Sequence, residues 1–337
     1  MKILVTAPYN DNGLITLQEN FGEVIYRPWK PHGRAYYADE LTALLQSTAA
    51  NALITEHDHV TAEVINANTH LQFIGVCRGT PSNVAIETAT KHGIPVFYTP
   101  ARNAQAVAEM FIANVITFMR NTIAGIEWLR GHNWAAGAHT SYLQFKGNEL
   151  AGKTIGMVGF GAIGQLIASM LQCYPCPVQF YDPFVTTYDN AYRSVSLQEL
   201  FETSDIVSIH LPVTEQTKGL IDYSLLSKMK PDAIFVNTAR AVVVKRDDLL
   251  RVLEEGTIRG AILDVFDHEP PDETDYKIIH HPNVLPTPHI AGATFEVEDH
   301  HVTILNKTLV DWFVHNKKTG AKLANKELLT VQIERIP

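Results

Sequence analysis

Cysteine is scarce. Cys77, Cys173 and Cys176 are the only three in 337 residues, too few for a disulfide framework, so a reducing, cytoplasmic setting is the default. No apolar run approaches the roughly 20 residues a membrane helix needs. Met1 to Pro8 carries no basic leader before its apolar stretch, so it reads as a first strand instead of a signal peptide. A basic surplus is also missing: 27 Lys and Arg stand against 36 Asp and Glu, a formal net charge of −9. Nucleic acid and anionic membrane both select a basic face, and neither is expected as a partner. Short-period repeats, low-complexity tracts and long blocks of like charge are absent too. What is left, 46% hydrophobic and 19% charged residues, is the make-up of a packed globular protein. At roughly 150 residues per domain the length suggests about two domains.

Short aliphatic runs alternate with helical stretches almost throughout, the pattern of a parallel sheet wrapped by helices. Strands are expected near residues 3–7, 24–27, 52–55, 73–76 and 95–98, with helices starting near Leu14, Asp39, Thr61 and Asn83. A long helix should open at Asn103, since Val107, Phe111, Val115 and Phe118 recur at helical spacing. A second alternation has strands near 155–158, 178–181, 206–209, 233–236 and 261–263, and a last helix near 294–315. Two βα series imply two doubly wound α/β units. The tail beyond Gly320 is polar and reads as peripheral.

Thr154-Ile-Gly-Met-Val-Gly-Phe-Gly-Ala-Ile-Gly164 sets Gly159, Gly161 and Gly164 in Gly-x-Gly-x-x-Gly spacing. That spacing alone is weak evidence, but here an apolar strand precedes it and an amphipathic helix follows. The first glycine permits a tight turn, the second lets backbone approach a pyrophosphate, and the third lets helix and strand pack closely. The helix N-terminus offers free N–H groups to the phosphates. Asp182 ends the next strand, 18 residues after Gly164, where a carboxylate accepts from ribose hydroxyls and repels a 2′-phosphate. No Arg or Lys occurs from Pro183 to Asn190, so NAD is expected over NADP.

Three later segments each put a polar residue just past a strand, where open α/β sheets place ligands. They carry Arg240, then Asp264 and Glu269, then His289. Singly, such an arginine is usually a surface charge and such a histidine a satisfied structural group. Downstream of a dinucleotide fingerprint their joint occurrence means more.

With these residues in view, the chain resembles the D-isomer-specific 2-hydroxyacid dehydrogenase family, which includes phosphoglycerate, glyoxylate and D-lactate dehydrogenases. The resemblance rests on Gly159-Phe-Gly-Ala-Ile-Gly164, His210-Leu-Pro212 with Thr217, Asn237-Thr-Ala-Arg240, Asp264-Val-Phe with Glu269-Pro270, and Thr287-Pro-His289-Ile-Ala-Gly292. It runs to about residue 320 and implies a Rossmann NAD-binding domain, 101–290, inserted in a flavodoxin-like substrate domain, 1–100 and 291–337, with the active site in the cleft between them. By the resemblance His289 is the general acid/base, Glu269 its partner and Arg240 the substrate-binding electrophile. It assigns Ala162, Ile163, His210, Pro212, Thr217, Thr238, Ala239, Asp264, His289 and Gly292 to the cofactor with the three glycines and Asp182, with Asp264 facing the nicotinamide end. The loop 76–80, with Arg78, Gly79 and Thr80, falls to the substrate carboxylate.

The chemistry agrees with these roles. Reducing a 2-keto acid puts negative charge on the carbonyl oxygen, so a proton donor is needed there. Arg240 can fork onto carboxylate and carbonyl oxygens together. Glu269 beside His289 favours the imidazolium and fixes the ring's tautomer. Formate dehydrogenases of the family carry glutamine at the position of Glu269, which argues against formate. The chain departs from the family pattern at Arg78 and Pro81 in the carboxylate loop and at Ala241-Val-Val-Val244, where paired glycine usually follows the arginine. Arg78 is either a solvated surface charge or the mark of a larger or more anionic substrate.

Cys173-Tyr-Pro-Cys176 has redox spacing but follows a helix instead of opening one, so its thiolate gains no stabilisation. The pairs His280-His281, His300-His301 and His57-Asp-His59 resemble metal ligands, yet no cysteine or carboxylate cluster joins them, and no metal is expected. Trp128 and Trp134 flank a segment the family uses as a dimer arm, and together with the helix from Asn103 they point to a homodimer. The expectation is therefore an NAD-dependent oxidoreductase moving a hydride at C2 of a small 2-hydroxy or 2-keto acid, D-isomer specific, with no regulatory domain appended. The rival from another class is an NAD(H)-sensing interaction protein, like the corepressors that share the fold.

Overall fold

The computed structural model describes residues 1–134 and 138–331; the end of the expected substrate-domain segment, 332–337, lies outside the described residues. The chain divides into two compact units, Met1–Asn103 with Thr294–Pro337, and Ala104–Ala293.

The first unit is built on β1 (Lys2–Val5), β2 (Glu23–Tyr26), β3 (Ala52–Thr55), β4 (Ile74–Val76) and β5 (Val96–Tyr98). All pairings are parallel, in the order β2-β1-β3-β4-β5, the flavodoxin-like order. Helices cover both faces of such a sheet, which is why its strands are unbroken apolar runs. Ile3, Val5 and Ile54 go to one core with Phe73 and Phe97, while Leu4, Leu53, Ile74 and Val76 go to the other. The helix Asp11–Phe21 starts where the Asn10 side chain accepts from the Gly13 N–H.

The last helix, Glu296–Leu309, continues as one π-turn, Val310–Val314, over the stretch where the pattern places it. One expectation changes here. The polar tail is not peripheral, because β5 is an edge strand whose backbone groups need partners. Leu323 is fully buried and bridges to Phe97. The Asn325 amide accepts from the Val96 N–H at 2.9 Å and donates to the Ile94 carbonyl at 2.8 Å.

The second unit has β6 (Ile155–Val158), β7 (Val178–Tyr181), β8 (Tyr192–Ser194), β9 (Ile206–Ile209), β10 (Ile234–Asn237), β11 (Gly260–Leu263) and β12 (Val284–Pro286). Their order is β12-β11-β10-β9-β6-β7-β8. Strand order reverses at β6 and β9, and ligands of open α/β sheets bind at the carboxyl ends of the strands at such a point. The edge strand β8, three residues that include the exposed Arg193 and Ser194, carries too little periodicity to be foreseen. The helix Ala104–Met119 buries Ala108, Phe111, Val115 and Met119 against β6 and the helix Ala162–Met170. Ile112, Ile116 and Phe118 of the same helix are only partly buried.

Candidate active site

The three glycines between β6 and its helix differ in their surroundings. Gly159 has φ +93, and a Cβ there would lie 2.8 Å from the His210 carbonyl oxygen. A Cβ on Gly164 would lie 2.8 Å from the Gly159 carbonyl oxygen. At Gly161 a Cβ would meet nothing within 4 Å. The first and third are required by the fold, and the second faces open space, the cradle a pyrophosphate needs. Gly161 is also the N-cap of the helix beginning Ala162 and Ile163, and no side chain caps it. Free N–H groups thus point out of the loop.

Asp182 lies just past β7. One carboxylate oxygen accepts from the Phe160 N–H at 2.8 Å and the other from the Phe184 N–H at 2.9 Å. It braces the glycine loop, and each oxygen keeps a lone pair for a ribose hydroxyl. Beyond β9, the His210 ring pairs with the Ser208 hydroxyl at 2.9 Å and lies edge-on to Phe111. Burial pushes this imidazole down to about 4, so it is neutral at physiological pH. The Thr217 hydroxyl donates to the Pro212 carbonyl at 2.7 Å and accepts from the Thr214 N–H at 2.8 Å. It closes its own turn. The Thr238 hydroxyl, past β10, is buried without a hydrogen-bond partner, an unsatisfied group of the kind a bound ligand completes. The open cradle, the uncapped helix end, the carboxylate at β7 and this orphaned hydroxyl all fit a dinucleotide.

Arg240 follows Thr238 and Ala239 on an exposed turn, where its guanidinium donates to the Ala239 carbonyl at 2.6 Å. Asn237 holds that turn. Its buried amide donates to the Arg240 carbonyl at 3.1 Å and accepts from the Ala239 N–H at 3.0 Å. Sequence reasoning gave Asn237 no role of its own. The available signal was a buried-strand residue with an amide immediately ahead of a turn.

Glu269 and His289 come together from segments 20 residues apart: Nδ1 of the ring lies 2.8 and 2.7 Å from the two carboxylate oxygens. His289 has φ +54, a left-handed conformation uncommon for a non-glycine residue. Asp264 enforces it. Its carboxylate is 1% exposed; one oxygen accepts from the Thr287 hydroxyl at 2.6 Å and the Ile290 N–H at 2.9 Å, the other from the Ala291 N–H at 2.8 Å. Three donors from one loop converge on Asp264, which thereby braces the loop that presents His289. Gly292 ends this loop, half-buried.

In the first unit, Arg78, Gly79 and Thr80 follow β4, with Arg78 partly exposed and Gly79 and Thr80 exposed. A Cβ on Gly79 would meet nothing within 4 Å.

Other clusters resolve without a ligand. His268, Asp272 and Asp275 converge, but the Arg246 guanidinium already occupies the centre, 2.9 Å from both Asp272 oxygens and 3.3 Å from Asp275. His300 and His301 bond to backbone carbonyls of Arg102 and Pro8, and His280 to that of Tyr276. Burial pushes the Cys176 thiol up, and its Sγ donates to the Leu150 carbonyl.

A reversed strand order with a glycine cradle at the switch, and an imidazole–carboxylate pair past β11 and β12 of the same sheet, are the features of a nicotinamide-dependent dehydrogenase. A model of the D-isomer specific 2-hydroxyacid dehydrogenase, NAD binding domain, matches residues 112–291. YoaD of Bacillus subtilis (strain 168), named as a candidate 2-hydroxyacid dehydrogenase, is 56% identical over 98% of this chain and 96% of its own. Glyoxylate reductase of Thermofilum pendens is 34% identical over 98% of this chain and 96% of its own. The solved structure of D-2-hydroxyisocaproate dehydrogenase shares the fold, with TM-score 0.81, 22% identity, and coverage of 95% of this chain and 98% of that one. The chain belongs to the D-isomer specific 2-hydroxyacid dehydrogenase family and is an NAD-dependent oxidoreductase of 2-hydroxy acids. Among the described residues no helix is long and apolar enough to cross a membrane.

Proposed function

We propose that the chain interconverts a small 2-keto acid and its D-2-hydroxy acid, with His289 as acid/base, Glu269 as its partner and Arg240 as the substrate-binding electrophile. The observation that carries this is the Nδ1 contact with both Glu269 oxygens, at 2.7 and 2.8 Å. It leaves Nε2 as the ring atom that exchanges a proton. NAD, when bound, supplies or accepts the hydride at C2. In reduction, charge builds on the carbonyl oxygen and protonated Nε2 delivers its proton there; in oxidation neutral Nε2 removes it. Arg240 grips carboxylate and carbonyl oxygens with its planar fork and stabilises that charge. Gly79 and Thr80 offer backbone N–H groups to the substrate carboxylate, with Arg78 in the same loop. Gly159, Gly161 and the first turn from Ala162 hold the pyrophosphate, and Asp182 takes the ribose and disfavours a 2′-phosphate.

The same reading makes the protein a cytoplasmic homodimer. Its three cysteines are unpaired. Leu129, Trp134, Tyr142 and Leu143 are exposed at 53%, 51%, 71% and 71%, around a cavity of about 600 Å³ walled by Trp128 and Phe145, a surface suited to a second copy. Light scattering at micromolar concentration should give twice the monomer mass.

The test of the chemistry is NADH consumption with a panel of small 2-keto acids. At least one should be reduced, with NADPH at least tenfold poorer in kcat/KM, about 1.4 kcal/mol. A protein that binds NADH and reduces none of them contradicts the reading.

A further inference from the structure

The turn after β3 in the first unit sorts its charges by depth. Glu56 and Asp58 are 5% and 0% exposed. Glu56 accepts from Arg102 at 2.6 Å and from the Trp29 indole N–H at 3.1 Å. Asp58 accepts from the hydroxyls of Thr6 and Thr55 and from the Tyr36 N–H. Both carboxylates are thus turned inward and satisfied. His57 and His59, between and beside them, face outward, and the loop after β4 adds Arg78. A cavity of about 490 Å³ is walled by His57, His59, Arg78, Ser82 and Asn83 over apolar Val60 and Val84, and no carboxylate lines it. The Trp29 ring stands edge-on to the His57 ring at 5.3 Å and limits its rotation. His57 Nε2 also lies 3.6 Å from a Glu56 carboxylate oxygen, and the basic groups of the wall are His57, His59 and Arg78.

We propose that this cavity is a subsite for a second anionic group of the substrate, a carboxylate or phosphate at the end remote from the 2-keto acid. The proposal rests on the reading above, in which the loop carrying Arg78 to Thr80 receives the 2-keto acid carboxylate. A substrate anchored there brings its remaining atoms beside Arg78, whose planar guanidinium matches carboxylate and phosphate oxygens. The imidazoles of His57 and His59 donate hydrogen bonds to the same group. Glu56 and Asp58 are held inward by their own donors, and neither lines the cavity. A substrate ending in methyl or hydroxyl takes none of this.

The test compares matched 2-keto acids with saturating NADH: 2-oxobutanoate against 2-oxobutanedioate, and hydroxypyruvate against its phosphate ester. The wild-type kcat/KM should favour the more anionic member of at least one pair tenfold or more, mainly through KM, and less so at high salt. Whichever pair shows the larger preference identifies the group as carboxylate or phosphate. Arg78→Gln should lower the preference ratio at least tenfold, and His57→Gln, at an exposed position, should lower it in the same direction. NADH affinity, measured alongside, checks that both variants are folded. Equal wild-type rates within both pairs, or a ratio unmoved in both variants, overturns the subsite and leaves the dehydrogenase reading standing. If the protein binds NADH and reduces none of the four acids, the dehydrogenase reading is what fails.

Discussion

Gly161→Ala separates folding from cofactor binding within one loop. The backbone of Gly161 has φ −76 and ψ −157, which alanine adopts, and its Cβ would meet nothing within 4 Å. As an N-cap, alanine is poorer than glycine by up to about 1 kcal/mol. The loss of chain entropy in the unfolded state offsets about 0.4–1 kcal/mol of that. Stability without cofactor should therefore change little, a Tm shift of about 4 °C at most. Binding is another matter, because the methyl group lies where backbone must approach the pyrophosphate. NADH should bind at least tenfold more weakly, about 1.4 kcal/mol. At a concentration of 100 Kd for the wild type, NADH adds about 2.7 kcal/mol to its stability, and roughly half of that should vanish in the variant. Gly159→Ala is the contrast. Its φ of +93 and the 2.8 Å approach to the His210 carbonyl predict a loss of about 1–3 kcal/mol even without NADH. Thermal unfolding of both variants with and without NADH, plus titration calorimetry, decides the matter. Wild-type NADH affinity in Gly161→Ala would refute the cradle, and a folding defect without cofactor would refute its open surroundings.

The remaining predictions concern the strand ends of the second unit. His289→Ala should lower kcat/KM by about 10²–10⁴, and Glu269→Gln by less in the same direction; a fully active alanine variant rules out the acid/base role. Asp264→Asn sets an amide donor against an N–H or hydroxyl of the loop 287–291, so kcat should fall tenfold or more and stability by about 1.5–3 kcal/mol; unchanged kcat would show that the loop holds His289 without that brace. Burial keeps His210 at about 4 in the folded chain, below the ordinary value of about 6.5, so below pH 6.5 the unfolded chain binds a proton the folded chain refuses. This contribution is fully present above pH 6.5 and is lost progressively toward pH 4, on the order of 3 kcal/mol in all. His210→Asn should flatten that acid limb in urea denaturation, and parallel curves for the two proteins would place the imidazole in solvent.

Apart from the edge strands β8 and β12, the strand positions and the glycine cradle were legible from local pattern, because doubly buried parallel strands must be short apolar runs and a nucleotide turn must have glycine at fixed offsets. Ile155–Val158, Val178–Tyr181 and Ile206–Ile209 fall where the pattern places them. Arg240, Glu269 and His289 were nameable too, since a motif keeps chemistry and spacing together. Only the tertiary structure decided what surrounds them. It shows Asp264 gathering three donors from a loop more than 20 residues away, Asn237 stapling the turn of Arg240, and Asn325 closing the edge of β5 from 229 residues away. These are long-range hydrogen bonds made by buried polar groups. Their necessity comes from desolvation, which depends on what packs around each group, and composition or periodicity does not record that. The inward turn of Glu56 and Asp58 that leaves His57, His59 and Arg78 facing a cavity is of the same kind: charge is a property of sequence, but the sign of a surface is set by which charges the fold buries.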